Sequence, residues 1–231
     1  MDTIYSDGTY LRNNPAWHID DSPWKAKHIA TMLERHGIVP TTVCEIGCGA
    51  GEILRALSTH LEPSARFFGY EISPNAYEIC SAKSSPRFTF HLANLLDDEQ
   101  ARFDVVMAID VFEHVEDYFG FLRKLRGKGQ YKIFHIPLEL SAQQVLRGRP
   151  LLDARRSVGH IHHFSKETAL ATLEDCGYRV LDHFYTSGRT ELRGLGWKSQ
   201  VMRIPRQALY RMSPDAAARM LGGYSLLVLA Q

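Results

Sequence analysis

The sequence predicts an α/β chain built on a doubly wound, mostly parallel sheet with helices on both faces. Three observations predict it. Short apolar runs alternate with runs of helical period, the order that parallel strands joined by crossover helices produce. The stretch Val43–Glu52 (VCEIGCGAGE) reads as a buried strand that breaks into three alternating glycines and enters a helix, and Glu71 closes the next strand-like run. The run Phe103–Asp110 is almost continuously apolar, as suits a central strand buried on both faces.

In chain order, Ser22-Pro23 looks like a cap with proline at the first helical position, opening a helix over Trp24–His36. Its apolar stripe is Ala26, Ile29, Met32 and Leu33, and Gly37 stops it. The first strand carries the glycine turn, and the helix after it is expected to span Glu52–Leu61. Arg66–Glu71 is the second strand, Ser73-Pro74 opens a helix to about Lys83, and Phe88–Leu92 is the third strand. Phe103–Asp110 and Tyr131–Ile136 are the fourth and fifth. Residues 143–156 read as a polar, basic loop or short helix, and Ser165 caps a helix with stripe Ala169, Leu170, Leu173 and Cys176. Tyr178–Tyr185 and Tyr224–Ala230 complete seven strand-like runs.

With 231 residues the chain fits one domain: an N-terminal segment 1–37, a core over 38–185 and 224–231, and an insert over 186–223. The insert holds seven Lys/Arg against Glu191 and Asp215, while the whole chain is only +1, so the charge is local. Such a run fits a solvated helical face, an anionic acceptor, an acidic lipid surface or a partner. Pro205, Pro214 and Gly222-Gly223 break it into short helices. Hydrophobic content of 45% and charged content of 23% are ordinary for a globular protein. The four cysteines (44, 48, 80 and 176) show no paired metal spacing, and reduced thiols are expected. Without a signal peptide or an apolar run of about 18 residues, a cytoplasmic chain is expected.

The glycine turn reads G-x-G-x-G, whereas the dinucleotide fingerprint is G-x-G-x-x-G, and Glu45 precedes the first glycine by two residues. A carboxylate there repels a diphosphate and attracts a cationic amino group. Glu45-Ile46-Gly47-Cys48-Gly49-Ala50-Gly51 resembles motif I of the class I S-adenosylmethionine-dependent methyltransferases. Glu113-His114-Val115 resembles the signature after the fourth strand in their small-molecule, type 11-like branch, and the Asn/Asp-Pro-Pro-Tyr/Phe motif of many nucleic-acid and glutamine N-methyltransferases is missing.

The resemblance implies a seven-stranded methyltransferase fold with its last two strands antiparallel, an N-terminal helical lid and a helical insert before the last strand. It implies S-adenosyl-L-methionine as cofactor and S-adenosyl-L-homocysteine as product. Gly47, Cys48, Gly49 and Gly51 would shape the backbone against the methionine and ribose portions, Glu45 would orient the amino group, and Glu71 with Ile72 would hold the ribose. Asn94 and Leu95 would frame the adenine, Asp110 would border the methyl, and Tyr10, Trp17, His18 and Trp24 would supply the lid.

Catalytic candidates are His114, His160 and His18, since imidazole is the usual general base near neutral pH. His162 and His163 are weaker candidates. A metal drawn from the same cluster, with Glu113 or Asp110 as an oxygen ligand, is the alternative, and no metal is assigned. The expected activity is methylation of a small-molecule acceptor, at oxygen, by a monomer or homodimer. The competing readings are a cofactor-binding regulatory or docking protein, and a nucleic-acid methyltransferase or peripheral membrane contact that uses the basic insert.

Overall fold

The structure, a computed structural model, describes residues 19–187 and 203–231. Tyr10, Trp17, His18, Arg189, Arg193 and Lys198 lie outside those residues. The strands are β1 (Thr42–Ile46), β2 (Arg66–Glu71), β3 (Phe88–Leu92), β4 (Phe103–Ile109), β5 (Gly129–Leu138), β6 (Val180–Thr186) and β7 (Tyr224–Ala230). They form one sheet in the order β3-β2-β1-β4-β5-β7-β6. β1 to β5 are parallel, and β7 runs antiparallel to both β5 and β6. The expected seven-stranded doubly wound sheet with an antiparallel end is therefore present.

The helices are α1 (Ser22–Arg35), α2 (Glu52–Leu57), α3 (Pro74–Ser81), α4 (Tyr118–Leu125), α5 (Ala142–Arg147), α6 (Arg149–Ser157), α7 (Lys166–Asp175), α8 (Arg203–Met212) and α9 (Pro214–Leu221). Successive side chains of a strand point to opposite faces, and this sorts the core into two layers. Val43, Val105, Met107 and Ile109 pack with Ala26, Ile29 and Met32 of α1 and Leu54 of α2. Cys44, Ile46, Val106 and Ala108 pack on the other side with Leu122 of α4 and Leu173 of α7.

Several boundaries differ from the sequence expectation for local reasons. Ser22 lies inside α1, and Asp21 takes the cap position without a side-chain cap bond. α2 stops at Leu57 because Ser58 and Thr59 turn their hydroxyls onto the carbonyls of Arg55 and Ala56, competing with the helical ladder. β5 runs on to Leu138 because β7 continues to pair with it there. Residues 142–157 form two helices meeting at Gly148. α7 keeps its predicted cap, Ser165, in a reciprocal capping box with Thr168.

The insert's described part docks on the body. Ala217, Ala218 and Tyr224 form a small core against Tyr185, Leu209 and Tyr210. Asp215 accepts from Lys166 Nζ (2.5 Å) and Tyr185 Oη (2.6 Å), and Arg219 pairs with Glu167. Arg206 is buried and donates to the Leu221 carbonyl, so part of the local positive charge is spent inside the fold. Among the described residues no helix is long and apolar enough to cross a membrane.

Candidate active site

The sheet order turns back on itself between β1 and β4, and open α/β sheets bind ligands outside the carboxyl ends of strands at such a switch point. A cavity of about 570 Å³ opens there, within the range of roughly 300–1,000 Å³ of small-ligand sites. Its floor is the turn after β1. Gly47, Gly49 and Gly51 have φ of 67°, 52° and 76°, the left-handed region that favours glycine. Gly47 and Cys48 donate to the Tyr70 carbonyl at 2.8 and 3.2 Å, which ties the turn to β2. Gly47, Cys48 and Gly49 line the cavity. Gly51 sits behind it, against Phe90 and Cys80.

Glu45, near the end of β1, is 1% exposed yet lines the cavity. Its Oε2 has no hydrogen-bond partner in the structure. Burial raises its carboxyl well above the usual range; Lys25 opposes that, and Glu71 and Asp110 add to it. Glu71, at the end of β2, accepts from the N–H groups of Gly49, Ile72 and Ser73 at 2.8, 2.9 and 2.8 Å. Burial raises Glu71 as well, against those three donors. It thereby fixes the glycine turn from across the sheet edge, while lining the cavity together with Ile72.

At the end of β4, Asp110 has φ 54°, the only positive φ outside glycine among the described residues. Its carboxylate joins Lys25 Nζ (2.9 Å) and His135 Nδ1 (2.6 Å), and His135 Nε2 reaches Thr186 Oγ1 (2.8 Å). Burial would raise Asp110, but His135 and Lys25 outweigh it and hold the carboxyl below its ordinary range. Burial likewise works against the Lys25 ammonium, but Asp110 and Asp21 prevail and raise it. Lys25, His135 and Thr186 were not legible in the sequence. Trp24, the predicted lid residue, is off the cavity wall: its ring meets His28 and His135 edge-on, and its neighbours Ser22 and Lys25 take the wall position.

Asn94 lines the cavity with its Oδ1 accepting from Leu96 N at 3.0 Å, which shapes the turn after β3. Leu95 is 0% exposed and belongs to the core, so Leu96 and Ala93 form this end of the wall instead. The one-residue offset follows from the 3-10 turn Leu95–Asp97, which points Leu95 inward.

His114 lines the cavity from the turn Phe112–His114, with Nδ1 bonded to the Gly159 carbonyl at 3.1 Å. Burial, then the neighbouring His160 imidazole, pull it down to about 4, so it is neutral at physiological pH and a weak base. His160 stands behind His114, ring centroids 4.8 Å apart, and its Nδ1 bonds Glu139 Oε1 at 2.9 Å. It is off the cavity wall. His163 bonds the other Glu139 oxygen (2.6 Å) and His162 bonds the Val115 carbonyl (3.0 Å), so both are engaged in holding loops together. His18 lies outside the described residues.

A family model described as a methyltransferase domain matches residues 17–183. No curated protein sequence matches the chain. Among solved structures, magnesium protoporphyrin IX methyltransferase from Synechocystis, with S-adenosylhomocysteine bound, aligns at TM-score 0.60 and 18% identity over 90% of this chain and 82% of that one. The plantazolicin methyltransferase BpumL, in complex with a monoazolic desmethylPZN analogue and S-adenosylhomocysteine, aligns at 0.63 and 18% over 99% and 92%. The N-methyltransferase NodS from Bradyrhizobium japonicum, also with S-adenosylhomocysteine, aligns at 0.57 and 15% over 93% and 90%. At these identities the likeness is one of fold.

Proposed function

The chain belongs to the methyltransferase-domain family, and from that premise we propose that it moves the methyl group of S-adenosylmethionine to the oxygen of a small-molecule acceptor. One observation carries the cofactor assignment: the buried Glu45 oxygen that lacks a hydrogen-bond partner at the cavity wall. A carboxylate in that state calls for a cationic donor, and the amino group of a methionine moiety is one. A phosphate-bearing cofactor would be repelled at the same place.

When bound, S-adenosylmethionine supplies an activated sulfonium methyl. The chain's own residues then bind and orient. Glu45 receives the amino group, the backbone of Gly47 and Gly49 lies along the methionine and ribose portions, and Glu71 has acceptor capacity left for a ribose hydroxyl. Asn94 and Leu96 meet the adenine end. Asp110, anchored by Lys25 and His135, and His114 border the space beyond, where the acceptor is held. In-line positioning supplies much of the rate for so activated a donor. The described arginines of the insert that are buried or paired lend no support to a nucleic-acid acceptor.

Calorimetry with S-adenosylmethionine on wild type and Glu45→Gln tests the assignment. Loss of a charge-assisted hydrogen bond of about 1.5–3 kcal/mol predicts binding weaker by roughly 10- to 150-fold. Equal affinity for the variant would remove Glu45 from the site, and no binding by wild type would overturn the whole reading. A panel of hydroxyl and amine acceptors with methyl-labelled cofactor, read by NMR of the product, decides oxygen against nitrogen.

A further inference from the structure

We propose that Glu113, His114 and His160 form a binding site for one divalent transition-metal ion of the zinc or cobalt class, at the cavity wall beside the acceptor space. One ligand atom from each residue lies within 4.8 Å of the others. Glu113 is 0% exposed, and neither carboxylate oxygen has a hydrogen-bond partner in the structure. Burying a carboxylate without donors is costly, and a metal ion supplies the missing positive charge.

The two imidazoles carry the supports that metal-binding histidines need. His160 Nδ1 bonds Glu139 Oε1 (2.9 Å), and His114 Nδ1 bonds the Gly159 carbonyl (3.1 Å). Such outer partners fix the tautomer and make Nε2 the nitrogen each ring turns to a metal. His114 Nε2 lies 4.0 Å from Glu113 Oε1, too far for a hydrogen bond between them. The segments are also tied by main chain: the Glu113 carbonyl accepts from the N–H groups of Ile161 and His162 at 3.0 and 3.1 Å. Glu113, His114 and His160 are thus brought together by the fold before any ion arrives.

Two imidazole nitrogens and one carboxylate oxygen make a three-ligand set that leaves a coordination position open, the pattern of catalytic rather than structural sites. Ligands about 2.1 Å from a tetrahedral ion stand roughly 3.4 Å apart, so atoms within 4.8 Å of one another need draw in by at most about 1.4 Å. His114 is the member that also lines the cavity, which puts the open position on that side. A hydroxyl taken up there would be polarised by the ion.

The full chain, stripped with a chelator and dialysed, is titrated with Co²⁺ and then Zn²⁺. One equivalent of Co²⁺ with visible d–d bands, displaced one-for-one by Zn²⁺, is expected. Glu113→Gln and His160→Ala should each weaken binding by more than the roughly 10- to 100-fold typical of an outer-shell partner, and Glu139→Gln by an amount inside that range. His60→Ala, at an exposed histidine remote from the cluster in sequence, controls for adventitious binding and should change nothing. Circular dichroism checks folding, and if Glu113→Gln fails to fold, His160→Ala decides. A wild type that takes up no stoichiometric metal, or a His160→Ala chain that binds it as tightly as wild type, overturns the site. S-adenosylmethionine calorimetry on the metal-free chain keeps the failure of this site distinct from failure of the cofactor reading.

Discussion

Substituting Gly51 by alanine tests how the glycine turn is built. Gly51 has φ 76°, and a Cβ there would stand 2.8 and 2.9 Å from Cε1 and Cζ of Phe90 and 3.2 Å from Cys80 Cβ. The same edge of the ring also lies close to Gly69, where a Cβ would meet Phe90 Cδ1 at 2.5 Å. Left-handed backbone costs a side chain about 1–2 kcal/mol, and overpacking a tight site adds about 1–3 kcal/mol. Gly37 separates the two effects: its φ is 61°, but nothing lies within 4 Å of an added Cβ. Gly37→Ala should therefore cost only about 1–2 kcal/mol, and Gly51→Ala about 2–5 kcal/mol. Urea denaturation with an unchanged m-value measures both. Phe90→Leu in the Gly51→Ala background should restore part of the loss, as a coupling between contacting residues. Because Gly51 N–H donates to the Cys48 carbonyl at 2.8 Å, the displaced turn should also weaken cofactor binding. If Gly51→Ala costs no more than Gly37→Ala, the contact with Phe90 is not what shapes the turn.

Two further outcomes follow from the charges. Lys25→Met strands Asp110 with His135 alone; since the Asp110 side chain keeps 28% exposure, the loss should fall below the roughly 3–5 kcal/mol of a fully buried pair, at about 2–3 kcal/mol by denaturation. Adding Asp110→Asn to that variant should recover most of it, and a single variant as stable as wild type would contradict the anchoring role. For Asp104, the Thr41 hydroxyl and then the Thr41 and Thr42 N–H groups hold the carboxyl below its ordinary value. A lowered folded pKa contributes stability above about pH 3.9 that is lost as pH falls through the folded value. Asp104→Asn should therefore show a shallower acid limb than wild type in denaturation followed from pH 5 to about pH 2, and identical limbs would refute the contribution.

The strands were legible because each one is a local pattern. Phe103–Ile109 is buried on both faces and shows it as an unbroken apolar run, and the turn after β1 needs three residues of positive φ and shows it as three glycines. This end of the cavity wall was legible for the same reason, since Glu45, Gly47, Gly49 and Glu71, which line it, lie within one β-α-β unit. Offsets appeared wherever a single torsion decides direction: Leu95 turned into the core while Leu96 faced the cavity, and Lys25 rather than Trp24 reached the wall. Lys25, His135 and Thr186 around Asp110 had no signature, since they come from segments far apart in the chain; Glu113, His114 and His160 were named as candidates, but neither their approach to one another nor the support of Glu139 could be read. By itself the sequence determined the α/β class, the glycine turn and the acids that flank it, because periodicity and backbone conformation are properties of neighbouring residues. Which charges are buried together, and with which partners, was decided by the tertiary structure alone, because Coulomb energy and desolvation depend on distances that only the packed sheet order sets.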